Sequence, residues 1–202
     1  MKILAVADLH GAQYRVNMLL DNIKKYSPDL VIVCGDITQF GPGDVAKNFL
    51  NQIPVETLAV SGNIDTDDVS TSISGSRATN IDMKKIVKKG VTFVGINGVN
   101  ETQTHYFFKE NNKILDEKSV LVTHVPPYNT QDKIFIGKHG GSKELRDIVD
   151  KYKPRLVLSG HIHENPGYTK LGNTIVVNCS MGKRGEGALI EINKDVSVKM
   201  LE

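Results

Sequence analysis

The sequence has two cysteines, no low-complexity tract and no apolar run near the roughly 20 residues of a membrane span. Its charges almost cancel, leaving +2 over 202 residues. Each shortage closes off a class of explanation. A charge this small cannot by itself supply the sequence-independent attraction that nucleic-acid binders draw from many phosphate contacts, so a nucleic-acid partner is not indicated, though it stays open. No membrane partner is expected either. The opening MKILAVADLH lacks the long apolar core of a secretory signal, so the expected location is cytoplasmic, where Cys34 and Cys179 stay reduced. Both read as small core residues at strand ends. What remains is an ordinary globular composition, 40% hydrophobic and 24% charged, and a length that fits one domain, 1–202. A homo-oligomer is neither required nor excluded.

The first half alternates buried strands with helices. Ile3–Ala7 is a continuous apolar run ending at Asp8. Val16, Leu19, Leu20 and Ile23 recur at i, i+3, i+4 and i+7, which predicts a helix that Pro28 ends. Strands follow at Leu30–Val33 and Val55–Val60, around a second helix striped by Val45, Ala46, Phe49, Leu50 and Ile53. This order implies a parallel sheet with right-handed crossovers. Residues 65–80 show no period and read as a loop. Val91–Ile96, Val120–Thr123 and Leu156–Ser159 read as strands, and Ser142 as the cap of a helix carrying Leu145, Ile148, Val149 and Tyr152. After Gly167 an antiparallel finish is expected at 174–178, 188–192 and 196–201. Lys84, Lys85, Lys88 and Lys89 suggest a solvated helix face, and Tyr106, Phe107 and Phe108 the core of a hairpin. Residues 25–31 (KYSPDLV) and 151–157 (KYKPRLV) echo one another, each leading into a strand that ends at Gly plus a ligand-type residue, Gly35-Asp36 and Gly160-His161.

Five segments place metal-ligand residues just past strand ends, where open α/β sheets build their sites: Asp8-Leu9-His10, Gly35-Asp36, Gly62-Asn63, His124 and His161-Ile162-His163. Singly, each is equally a turn, a cap or a surface histidine. Together they offer nitrogen and oxygen donors without a thiolate, a set suited to manganese, iron, nickel or zinc. Two carboxylates against two dications leave a positive site that suits an anionic phosphate ester.

This ordered set, from Asp8 to His163, resembles the calcineurin-like metallophosphoesterase family, and His139-Gly140-Gly141-Ser142 with Gly160-His161-Ile162-His163-Glu164 looks most like its small prokaryotic branch. The resemblance implies an α/β fold of four layers, helices outside two facing mixed sheets, as in metallo-dependent phosphatases. It implies two divalent metal ions, one held by Asp8, His10 and His163 and the other by Asn63, His124 and His161, with Asp36 bridging. It also implies a small phosphate-ester substrate, diester or monoester, attacked by a hydroxide shared between the metals. One departure matters: where the family has a histidine as the expected proton donor, this chain has Ile64 in Gly62-Asn63-Ile64-Asp65. Either the enzyme handles good leaving groups, or His139, or failing that His105, supplies the proton. The competing reading of both, which the usual partial exposure of histidine favours, is an exposed loop histidine. A protein-binding scaffold like the family's retromer-subunit branch, which also lacks the donor histidine, and a nuclease are the competing readings.

Overall fold

The computed structural model describes residues 1–135, 137–182 and 185–202. Its first sheet combines β1 (Lys2–Val6), β2 (Leu30–Cys34), β3 (Thr57–Val60), β4 (Thr79–Asn80), β11 (Ala188–Ile192) and β12 (Val196–Met200), in the order β12-β11-β1-β2-β3-β4. The second combines β5 (Lys84–Lys88), β6 (Val91–Gly95), β7 (Val120–Val122), β8 (Leu156–Ser159), β9 (Gly167–Leu171) and β10 (Thr174–Asn178), in the order β5-β6-β7-β8-β10-β9. Both are mixed: the first is parallel from β1 to β4 and antiparallel at β11 and β12, and the second has a parallel centre with antiparallel margins at β5 and β9.

Strand periodicity builds the layers. In β1, Ile3 and Ala5 point between the sheets while Leu4 and Val6 point outward. In β2, Ile32 and Cys34 join the inner side and Val31 and Val33 the outer. The inner layer meets Phe93, Val122 and Leu158 of the second sheet. Outside the first sheet lie α1 (Gln13–Tyr26), α2 (Gly43–Gln52) and α3 (Asp67–Ser74), and outside the second α4 (Glu101–Glu110) and α5 (Lys143–Tyr152). The result is the four-layer arrangement that the resemblance implies. Leu19, Leu50 and Leu145 are fully buried beneath these helices, each contributing about 1.5–3 kcal/mol by leaving water. Among the described residues no helix is long and apolar enough to cross a membrane.

Four local expectations need correction. Residues 65–80 are not one loop: α3 holds only Val69 and Ile73 in the core, too short a stripe to read through its serines and threonines. It is anchored instead by Asp68, which accepts a 2.6 Å bond from the Gly43 N–H. The lysines at 84–88 form edge strand β5 rather than a helix, where charge discourages another strand from pairing with it. The aromatics at 106–108 lie in α4, begun by Asn100 accepting from Gln103 N–H; Phe108 is buried and Tyr106 exposed. The antiparallel finish is divided, since β10 pairs with β8 in parallel and β9 antiparallel, while β11 and β12 return to the first sheet beside β1.

The two echoed segments are true counterparts. Helices α1 and α5 both end in a left-handed residue, Ser27 at φ 47° and Lys153 at φ 49°, and lead into interior strands β2 and β8, one in each sheet. Those strands end at Cys34 and Ser159, two residues before Asp36 and His161, and facing sheets bring the two ends to one edge.

Candidate metal centre

At that edge the strand ends are joined by backbone bonds. Ala7 N–H donates to Cys179 and Met181 N–H to Ala7, tying β1 to the chain beyond β10 in the other sheet. Asp8, His10 and Gly11 donate in turn to Gly35, Asp36 and Ile37, so the first two ligand loops are zipped together. Gly160 N–H donates to the His124 carbonyl. Asp8, His10, Asp36 and His161 all have positive φ, between 48° and 69°. Such backbone costs a side-chain-bearing residue on the order of 1 kcal/mol or more and concentrates at functional sites.

The side chains converge. Asp8 is fully buried and its Oδ1 lies 4.0 Å from His10 Nε2 and 3.5 Å from His163 Nε2. His161 N–H donates to the same carboxylate. Asp36 Oδ2 lies 3.3 Å from His124 Nε2, while its Oδ1 accepts from the Ile64 N–H. His124 Nδ1 bonds the Cys34 carbonyl at 2.8 Å, which aims Nε2 at the site. Asn63 Oδ1 is 2.8 Å from both His124 Nε2 and His161 Nδ1. Glycine is required beside these groups: a Cβ on Gly62 would lie 2.1 Å from Asp36 Oδ1, and one on Gly35, at φ +85°, 2.7 Å from His124 Nδ1.

Among the described residues two groups offer ligand atoms within 4.8 Å of one another, Asp8 with His10 and His163, and Asp8 with Asp36 and His124. Asp8 is common to both. Cations fit this donor set, because buried carboxylates and imidazole nitrogens point at shared space. The electrostatics agree. Burial pushes the Asp8 carboxyl up, but the His163 bond and the charges of His124 and His163 outweigh it and hold the group below its ordinary range. Burial likewise opposes charge on His124, yet the bond to Asp36 and the charges of Asp8 and Asp36 raise it. The bond to Asp8 raises His163, while burial lowers His10 and His161.

Neither alternative histidine belongs to these groups. His139 Nδ1 is 2.7 Å from Asp132 Oδ1 in the loop after His124, and His105 pairs with Glu144 on exposed helix surface. Four supporting residues escaped the sequence reading. Asp65 accepts from Ile37 N–H, Thr38 N–H, Thr38 Oγ1 and Gly62 N–H, clamping the Asp36 and Asn63 loops together. Asp82 accepts from Ser61, in the Asn63 loop, and from Asn97, whose carbonyl receives the His124 N–H. Asn178 donates to the carbonyls of Gln131, Ile162 and Asn165. Arg15 Nη1 donates to the Asp8 carbonyl. The one local signal is for Asp65, a polar residue amid turn-formers in Gly62-Asn63-Ile64-Asp65.

The family model described as calcineurin-like phosphoesterase matches residues 1–165. This chain belongs to the calcineurin-like phosphoesterase family. Among its relatives, the uncharacterized protein MJ1162 of Methanocaldococcus jannaschii is 36% identical over 89% of this chain and 88% of its own. The probable glycerophosphodiester phosphodiesterase GpdQ of Arcobacter nitrofigilis is 26% identical over 96% of this chain and 77% of its own. The crystal structure of TT1561 of Thermus thermophilus shares the fold, with a TM-score of 0.75 at 14% identity, covering 100% of this chain and 99% of that one.

Proposed function

We propose that this calcineurin-like phosphoesterase holds two divalent cations, drawn from manganese, iron, nickel and zinc, and hydrolyses a phosphodiester in preference to a phosphomonoester. The observation that carries the reading is the convergence of Asp8, His10, Asp36, His124 and His163 into two overlapping ligand groups, with Asn63 and His161 against the second. When bound, the ions supply an ionised water as the nucleophile and offset the charge of the phosphoryl oxygens. The diester preference follows the activity in the GpdQ relative's name.

The chain's own groups divide the remaining work. Asp8, His10 and His163 hold one ion, Asn63, His124 and His161 the other, and Asp36 bridges. Asn63, on the exposed rim, also orients the ester. Ile64 has no proton to give, and His139 supplies it to the leaving oxygen; losing such an acid costs about 10²–10⁴-fold for a poor leaving group. The substrate is a small ester and the location cytoplasmic. The test is Asp36→Asn, which abolishes metal-dependent release of nitrophenol from bis-nitrophenyl phosphate; a variant that keeps its activity excludes the bridge.

A further inference from the structure

The segment between His124 and α5 is built around one carboxylate. Asp132 is fully buried. Its Oδ2 accepts the Asn129 and Gly141 N–H groups at 3.1 and 3.0 Å, and its Oδ1 accepts the Thr130 N–H at 3.0 Å. Its carbonyl accepts the Gly140 N–H. Three backbone donors fix the orientation of the carboxylate, and its shortest contact, 2.7 Å, is to His139 Nδ1. Tyr128 packs against the imidazole, with ring centroids 5.2 Å apart. A carboxylate that holds Nδ1–H selects one tautomer and leaves Nε2 as the working nitrogen. Nε2 of His139 has no hydrogen-bond partner among the described residues, and the side chain is 23% exposed.

Two contacts dock this segment on the metal-ligand loop. Asn178 bonds the carbonyls of Gln131 and of Ile162, the residue between His161 and His163. Gly140 approaches so closely that a Cβ there would lie 3.1 Å from the Ile162 side chain. The segment's other side continues directly from His124. His105 pairs instead with Glu144, on the first turn of α5.

We infer that Asp132 is a positioning residue, which holds His139 so that Nε2–H delivers the proton to the departing alkoxide, the task that Ile64 cannot perform. The inference rests on the phosphoesterase reading above. In the step, the nucleophile's oxygen–phosphorus bond forms and the phosphorus–leaving-oxygen bond breaks. The leaving oxygen takes the Nε2 proton, and the neutral imidazole regains one from water. Esters of alkyl alcohols need this proton; nitrophenyl esters, whose leaving anion is stable, need it little.

The experiment compares wild type, Asp132→Asn and His139→Gln on bis-nitrophenyl phosphate and on a glycerophosphodiester, with nitrogen-15 spectra of the metal-free proteins. His139→Gln leaves the three backbone bonds to Asp132 in place, so it reports even if Asp132→Asn disturbs the loop. The expected result is a loss of about 10²–10⁴-fold on the glycerophosphodiester and a far smaller one on the nitrophenyl ester, in both variants. The double variant is no worse than His139→Gln, and the His139 ring carries its proton on Nδ1 in wild type but not uniquely in Asp132→Asn. Equal losses on both esters, undiminished glycerophosphodiester turnover, or an Nδ1 tautomer independent of Asp132 overturns the inference. So does a wild type that cleaves only the nitrophenyl ester, which leaves the metal reading intact. A wild type that cleaves neither ester with any metal removes the phosphoesterase reading itself.

Discussion

The Nε2 atoms of His10 and His163 lie 3.0 Å apart, with their rings inclined at 76°. Two imidazole nitrogens meet this closely only if one proton or one cation lies between them, since paired lone pairs or paired N–H groups repel. Asp8 beneath them adds negative charge. A cation held there would stabilise the folded chain: at 100 times its dissociation constant a ligand adds about 2.7 kcal/mol, expected as a rise in melting temperature with manganese and a fall with chelator. His163→Ala loses much of that rise. An unchanged rise would place the ion elsewhere.

Gly62→Ala tests the packing of the bridge region without touching a ligand. The added methyl would meet Asp36 Oδ1 at 2.1 Å and the Asp36 backbone nitrogen at 2.4 Å, so the carboxylate must move. Turnover on a nitrophenyl ester drops about 10²-fold or more, following the sensitivity of catalysis to small displacements. Turnover within about threefold of wild type would mean that the position of Asp36 does not matter.

Asp65 clamps two ligand loops through four accepted hydrogen bonds. Asp65→Ala leaves these donors without their partner and costs about 2–4 kcal/mol of stability, together with metal affinity. Urea denaturation and metal titration measure the two effects. Loss of neither would reduce the clamp to a surface contact.

Asp82 gives a pH signature. Burial raises its carboxyl above the ordinary value of 3.8, and the bonds from Ser61 and Asn97 pull it only partly back. The folded chain thus keeps this proton to higher pH than the unfolded chain does. Its contribution to stability is present below the unfolded value and is lost as pH rises through the folded one. Asp82→Asn removes that loss, so in metal-free protein the stability of the variant relative to wild type improves from about pH 3 to about pH 7. A constant difference across that range would contradict the assignment.

The candidate ligand segments were legible because each follows an apolar strand, three of them through a glycine at Gly35, Gly62 and Gly160, and strands buried on both faces announce themselves as continuous apolar runs, as LVIVC does in β2. What stayed hidden has a common cause. Helix α3 depends on the contact of Asp68 with Gly43, and α4 keeps only Thr104 and Phe108 inside, so neither carries a stripe long enough to read. Edge strand β5 looked helical because lysines suit any exposed surface. The family to which Asp8-x-His10 and Gly160-His161-x-His163 pointed is the family found, whereas Asp65, Asp82 and Asn178 act through partners 13 to 47 residues away in several cases, which no local pattern records.

Ile64→His restores a proton donor at the family's usual position, and turnover on alkyl diesters rises more than on nitrophenyl esters. An equal effect on both would remove the leaving-group argument.

The central claim is that donors from five separated loops grip a pair of cations. Elemental analysis of the purified protein, carried through Asp8→Asn, tests it most directly, because the Asp8 carboxylate is common to both ligand groups. The account predicts two equivalents of divalent metal per chain in wild type and a clear loss in the variant; wild type that retains no divalent metal, or a variant that retains as much, would contradict it.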